Sequence, residues 1–171
     1  MKSPLNKFIL FTLFFLGITS YLQAEDTTKQ TLPSVKVKTL NGSPVDIQEY
    51  GKTGKITVLF FWETYCSPSI KGLDNLWDVY EDWQSKYQCN IVAVNMDDSR
   101  KSSKVKPFVT GKGWPYIFLT DENRDLSRAL NIPNCPYVIL LDSQGHIVYR
   151  HSGFSEGSEI ELEGEIKKLK K

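Results

Sequence analysis

Hydrophobic and polar positions alternate with two different periods along this chain. Residues 55–62, Lys-Ile-Thr-Val-Leu-Phe-Phe-Trp, form a near-continuous apolar run, as expected of a strand buried on both faces. Behind it, Pro68 to Tyr87 carries Ile70, Leu73, Leu76, Trp77, Tyr80 and Trp83 at helical spacing, which predicts a long amphipathic helix with Trp77, Tyr80 and Trp83 as its buried stripe. Asn90 to Asn95 is a second short buried strand. Upstream, Ser34 to Leu40 alternates, Asn41-Gly42 signals a turn, and Val45 to Ile47 returns, giving a hairpin. Downstream come a helix over 102–110, a strand over 116–119 and a short helix over 124–130. A hairpin follows, from Tyr137–Leu141 through Ser143-Gln144-Gly145 to His146–Arg150, and a closing helix spans 159–170.

The order β-α-β-α then β-β-α implies an α/β fold: a central mixed sheet with helices on both faces and an N-terminal β-hairpin extension. A helix joins the Lys55 and Asn90 strands, so these two run parallel.

The first 24 residues fall outside this pattern. Lys2 and Lys7 precede an apolar stretch, Phe8 to Leu22, and Leu22-Gln23-Ala24 supplies a small residue for cleavage, as in a secretory signal. That stretch is shorter than the roughly 20 residues a spanning helix needs, so cleavage is favoured over a signal anchor. Residues 25–32 read as a loose lead-in and 33–171 as one domain. Without residues 1–24 the 21 basic and 20 acidic residues become 19 and 20, a formal charge of −1. Such a balance argues against nucleic acid or an anionic membrane surface as partner.

Candidate chemistry sits where the apolar run meets the helix, in Phe60-Phe61-Trp62-Glu63-Thr64-Tyr65-Cys66-Ser67-Pro68-Ser69. Pro68 suits a first helical turn. A thiol at a helix N-terminus faces unpaired backbone N–H groups and the positive end of the helix dipole, and both favour thiolate, the reactive form. The alternative is a small buried hydrophobe at a strand end. A dithiol site would carry its second cysteine three residues on, where this chain has Ser69. Cys89, at the start of the Asn90 strand, lies at the opposite edge of the sheet and is expected to be inert. Asp97-Asp98 suits a helix-capping turn.

These segments resemble exported thioredoxin-fold proteins of the TlpA/ResA type over about residues 33–169. The strand-end F-W-E-T-Y-C-S-P-S is similar to that family's F-W-x-T-W-C-x-P-C, and residues 134–142, N-C-P-Y-V-I-L-L-D, are similar to its segment around a cis-proline. The resemblance implies a thioredoxin-like fold, location in the bacterial periplasm, and thiol- or disulfide-bearing client proteins with a redox partner and no cofactor. It implies that Pro136 is the cis-proline, that Trp62 and Tyr65 flank the site, and that Cys135 faces Cys66 across it. Neighbouring strands lie about 4.8 Å apart, within disulfide reach, so a Cys66–Cys135 disulfide is geometrically open.

Three departures bear on activity. Ser69 replaces the second cysteine, Gly72 stands where many relatives carry a glutamate, and Tyr65 replaces a tryptophan. Several readings follow. Cys66 and Cys135 can act as a relocated dithiol pair, with Ser69 donating a hydrogen bond to the Cys66 sulfur. Cys66 can instead act alone, as a monothiol that captures clients without turnover. The chain can also be a degenerate copy that keeps only the fold. A thiol peroxidase is disfavoured, since Glu63 occupies the position of that pattern's threonine. No metal site is expected, because His146 and His151 lie on the final hairpin, far in pattern from Cys66.

Overall fold

A computed structural model describes residues 29–170. The expected signal segment, residues 1–24, and the first part of the lead-in lie outside the described residues. Seven strands form one mixed sheet: β1 (Lys36–Thr39), β2 (Pro44–Asp46), β3 (Thr57–Trp62), β4 (Asn90–Asn95), β5 (Ile117–Thr120), β6 (Tyr137–Leu141) and β7 (Ile147–Ser152). Their spatial order is β2-β1-β5-β4-β3-β6-β7. β3 and β4 pair in parallel from Thr57↔Asn90 to Trp62↔Asn95, and β5 runs parallel to β4. β6 is antiparallel to β3, with Phe61 opposite Tyr137. The N-terminal hairpin β1–β2 joins the sheet through β1 and β5. This is a thioredoxin-like arrangement.

Helices cover both faces. Every residue of β3 is buried, and its side chains alternate between two cores. Val58, Phe60 and Trp62 pack with Leu73, Leu76, Tyr80 and Trp83 of α2 (Ser67–Tyr87), with α3 (Val105–Lys112) and with α5 (Ser158–Lys168). Leu59 and Phe61 pack on the other face with Ile47, which precedes α1 (Gln48–Gly51), and with Leu126 of α4 (Asp125–Ala129). A 3-10 turn, Ser102–Lys104, leads into α3.

Two expectations change here. Trp77 is not part of the buried stripe: it is 47% exposed, while Tyr80 and Trp83 are buried. The spacing of Leu73, Leu76, Tyr80 and Trp83 already fills the inward face of α2, and Trp77 falls at its rim. The lead-in is tied down over its described end: Leu32 is 3% exposed, Thr31 bridges His146, and Ile147 N–H donates to the Gln30 carbonyl at 2.7 Å.

Candidate active site

Strand direction brings the candidate residues to one edge. β3 ends at Trp62 and β6 begins at Tyr137, opposite Phe61. The loop carrying Cys66 and the loop carrying Cys135 therefore meet at the same end of the sheet. The Cys135–Pro136 peptide bond is cis.

The turn from β3 into α2 is held by backbone and by a buried carboxylate. Cys66 N–H donates to the Glu63 carbonyl at 3.1 Å. Thr64 N–H donates to the Asp97 carboxylate at 3.2 Å, and the Asn95 side-chain amide donates to the same oxygen at 3.3 Å. Asp97 is fully buried. The expectation that Asp97-Asp98 forms a helix-capping turn holds for Asp98, whose carboxylate accepts Arg100 N–H at 3.0 Å ahead of the Ser102–Lys104 turn, and is corrected for Asp97: it braces the turn before Cys66, because β4 runs parallel to β3 and ends beside it.

Cys66 is the N-cap residue of α2, half-buried, with its carbonyl accepting from Ile70 N–H at 3.1 Å. Pro68 lies in the first turn, where a missing N–H removes no helical bond. Cys66, Cys89 and Cys135 are all free thiols. The Cys135 thiol is half-buried and pushed up to about 11, chiefly by burial, with the neighbouring Cys66 adding to the rise and the nearby Ser69 opposing it.

Ser69 shares the inward face of α2 with Gly72, Leu73 and Leu76 and is fully buried. Its hydroxyl has no partner at hydrogen-bond geometry. The expected bond to the Cys66 sulfur is thus not made. The helix phase turns Ser69 under the site, where it favours the thiolate of Cys135.

Trp62 is fully buried below the site, in an aromatic cluster with Trp114 at 5.8 Å, Phe108 at 5.9 Å and Phe118 at 6.1 Å between ring centroids. Tyr65 is 57% exposed beside Cys66, with the Lys101 ammonium 3.6 Å from its ring centroid. Cys89 is fully buried at the far edge, and burial pushes its thiol up to about 12. His146 engages Asp142 at 3.0 Å on the β6–β7 turn, and His151 stacks on Tyr149. Among the described residues, no group of three or more His, Cys, Asp or Glu side chains is arranged to hold a metal ion.

The glycine at position 72 has a packing reason. A Cβ there would lie 2.8 Å from Cδ1 of Phe154 and 2.9 Å from Cζ of Phe60. Two buried rings, packed edge-on at 5.3 Å, occupy the space a side chain would need. Outside them a groove of ≈ 620 Å³ runs beside Cys66, lined in part by Ser67, Pro68, Lys71, Asn75, Phe154 and Glu159.

Sequence reasoning gave Glu63 no role at the site. Its side chain turns inward, and the residue is 6% exposed. Its carboxylate is ion-paired with Arg124 and accepts a hydrogen bond from the Cys135 thiol at 3.4 Å. Arg124 N–H donates to the Asp121 carbonyl at 2.8 Å, and the buried Asp121 carboxylate accepts from Leu126 N–H, Ser127 N–H and the Ser127 hydroxyl at 2.7–3.1 Å. A charge one residue past a buried strand reads as an exit to solvent. Only the return of residue 124, 61 positions later, shows otherwise.

Comparisons with known proteins bear on the family and the fold. The AhpC/TSA family pattern matches residues 28–150. The chain is 28% identical over 133 residues to the thioredoxin-like protein YneN of Bacillus subtilis, covering 77% of this chain and 75% of the relative. It is 26% identical over 137 residues to the thiol-disulfide oxidoreductase ResA of Bacillus anthracis, covering 80% and 75%. Among solved structures, a thioredoxin-like protein from Porphyromonas gingivalis superposes with a TM-score of 0.73 at 37% identity, over 81% of this chain and 90% of that one.

Proposed function

The chain belongs to the AhpC/TSA family, and from that premise and the site's geometry we propose that it is an exported thiol–disulfide exchange protein, with Cys66 as nucleophile and Cys135 as a relocated resolving cysteine. The supporting observation is the meeting of the two half-buried thiols at one sheet edge, where β3 ends and β6 begins. Its relatives include thiol-disulfide oxidoreductases, so thiol- or disulfide-bearing client proteins and a redox partner are its proposed substrates.

The Cys66 thiolate attacks a client disulfide. One client sulfur leaves as thiolate, and a mixed disulfide forms. Cys135 then attacks the Cys66 sulfur, the second client sulfur leaves, and a Cys66–Cys135 disulfide remains. Ser69 cannot take that second role, because an alcohol is a weak nucleophile at neutral pH. Buried and unpaired, its hydroxyl is suited to donate to thiolate as charge develops beside it. Pro136 and Tyr65 border the surface a client would meet, and Trp62 supports it from below. A dithiol redox partner returns the pair to the reduced state. Residues 1–24 act as the export signal, with the bacterial periplasm as destination.

An insulin-reduction assay tests the assignment. Loss of turnover in both Cys66→Ala and Cys135→Ala is the expected result. Loss in Cys66→Ala alone, with covalent adducts accumulating on the wild-type protein, would establish the monothiol alternative. No turnover in any form, with Cys66 unreactive, would mark a degenerate copy.

A further inference from the structure

Glu63 links the two thiol loops. Its carbonyl accepts Cys66 N–H at 3.1 Å, and its carboxylate accepts the Cys135 thiol at 3.4 Å. The residue is 6% exposed, so the carboxylate end of this thiol–carboxylate contact is buried. A buried carboxylate is costly unless paired. Here one oxygen is paired with Arg124 and the other takes the thiol. The pairing survives at the surface end because the side chain of Arg124 stays 39% exposed.

A second observation explains why an acid would be needed on this side. The helical position six residues after Cys66 is Gly72, and the rings of Phe154 and Phe60 leave no room there for any side chain. The α2 side of the site therefore offers a buried hydroxyl, Ser69, and no carboxylate in its first two turns. Glu63 is the one buried carboxylate hydrogen-bonded to a site thiol among the described residues.

We propose that Glu63 is the proton acceptor for Cys135 when that thiol resolves the mixed disulfide on Cys66. The inference rests on the proposed exchange reaction and adds its missing base. In that step the Cys135 S–H proton passes to the free Glu63 carboxylate oxygen as the sulfur attacks. The Cys66–client S–S bond breaks, the Cys66–Cys135 bond forms, and the client sulfur leaves as thiolate. The client disulfide is the oxidant, and no further reagent is required. Glu63 is then neutral beside Arg124, which pairs with the carboxylate at rest, and the negative charge has moved to the departing client thiolate. The groups facing Cys135 are Cys66, Glu63 and the Tyr65 phenol, and the cation facing Glu63 is Arg124.

The test is a stopped-flow reaction of the reduced protein with one equivalent of an aromatic disulfide whose released thiolate is coloured. The first colour phase reports attack by Cys66, and the second reports resolution by Cys135. Glu63→Gln keeps the size and lowers the basicity. It is expected to slow the second phase relative to the first by on the order of 100-fold at pH 7, within the range for general-base loss. The second-phase rate in that variant should also rise more steeply with pH, since hydroxide must then supply the base. Glu63→Asp, one methylene short, should recover part of the lost rate. An unchanged ratio of phases in Glu63→Gln would overturn the role of Glu63 and leave the exchange reading intact. A wild-type protein with no second phase would overturn the exchange reading itself, and this inference with it. Should Glu63→Gln not fold, Arg124→Gln supplies the second variant: it frees the carboxylate and should shift the pH profile of the second phase. An unshifted profile would count against the proposal.

Discussion

The two ends of the parallel strands at the centre of the sheet are built from different materials. At the end where β3, β4 and β5 finish, each strand is followed within two residues by a buried carboxylate: Glu63, Asp97 and Asp121. These are the three buried charged residues among those described. At the other end, Cys89 sits with Ile56, Trp83 and Ile91 in an apolar cluster. The same residue type therefore lives in two settings. Cys66 and Cys135 lie half-buried among hydrogen-bonding groups, and Cys89 lies fully buried. Burying a charge is costly, so the concentration of carboxylates at one edge marks where the fold keeps polar groups for use.

Several changes would break or sharpen that contrast. The largest effect is expected from the cysteines themselves. Cys66→Ala should abolish exchange with a model disulfide, whereas Cys89→Ala should leave the rate within about twofold and cost about 1 kcal/mol of stability for the lost packing. Comparable losses in both would erase the distinction between the two ends. Next comes Asp97→Ala, which leaves the Thr64 N–H and the Asn95 amide without their acceptor. A loss of about 2–4 kcal/mol in urea unfolding is expected, from one to two stranded buried donors, together with slower attack by Cys66.

Gly72→Ala should have a smaller cost. The roughly 1 kcal/mol that alanine gains in a helix is outweighed by overpacking of about 1–3 kcal/mol against Phe60 and Phe154. Adding Phe154→Ala should make the Gly72→Ala step favourable, and a double-mutant cycle measures the coupling. The smallest perturbation is pH alone. A thiol raised above its usual value carries less thiolate at a given pH, and its labelling increases as pH climbs toward the raised value. Native iodoacetamide labelling of Cys135 should thus increase with pH toward about 11. Cys89, pushed up to about 12 and fully buried, should label only after unfolding. Mass spectrometry of the labelled peptides reads both.

Elements with strong local patterns were legible in the chain. The apolar run before Cys66 is β3, and the helical spacing behind it is α2, with boundaries within two residues. The hairpin signals at Asn41-Gly42 and Gly145 coincide with glycines at φ 83° and 84°, a backbone region open to glycine. What the pattern missed depends on distant partners. Trp77 fits the helical stripe by spacing, and only the packing of the whole α2 face decides that it stays at the rim. The burial of Glu63 depends on Arg124 and Cys135, both more than 60 positions away. Asp97 braces the Cys66 turn because parallel strands end together, which no local spacing reveals. α1 is four residues long, too short to show a period.

The central claim is that Cys66 and Cys135 form the working pair. Its most direct measurement is non-reducing peptide mapping by mass spectrometry after one equivalent of a small disulfide is added to the reduced protein. A peptide linked through Cys66 and Cys135, with Cys89 free, is the predicted result. A stable adduct on Cys66 with Cys135 still reduced would contradict it.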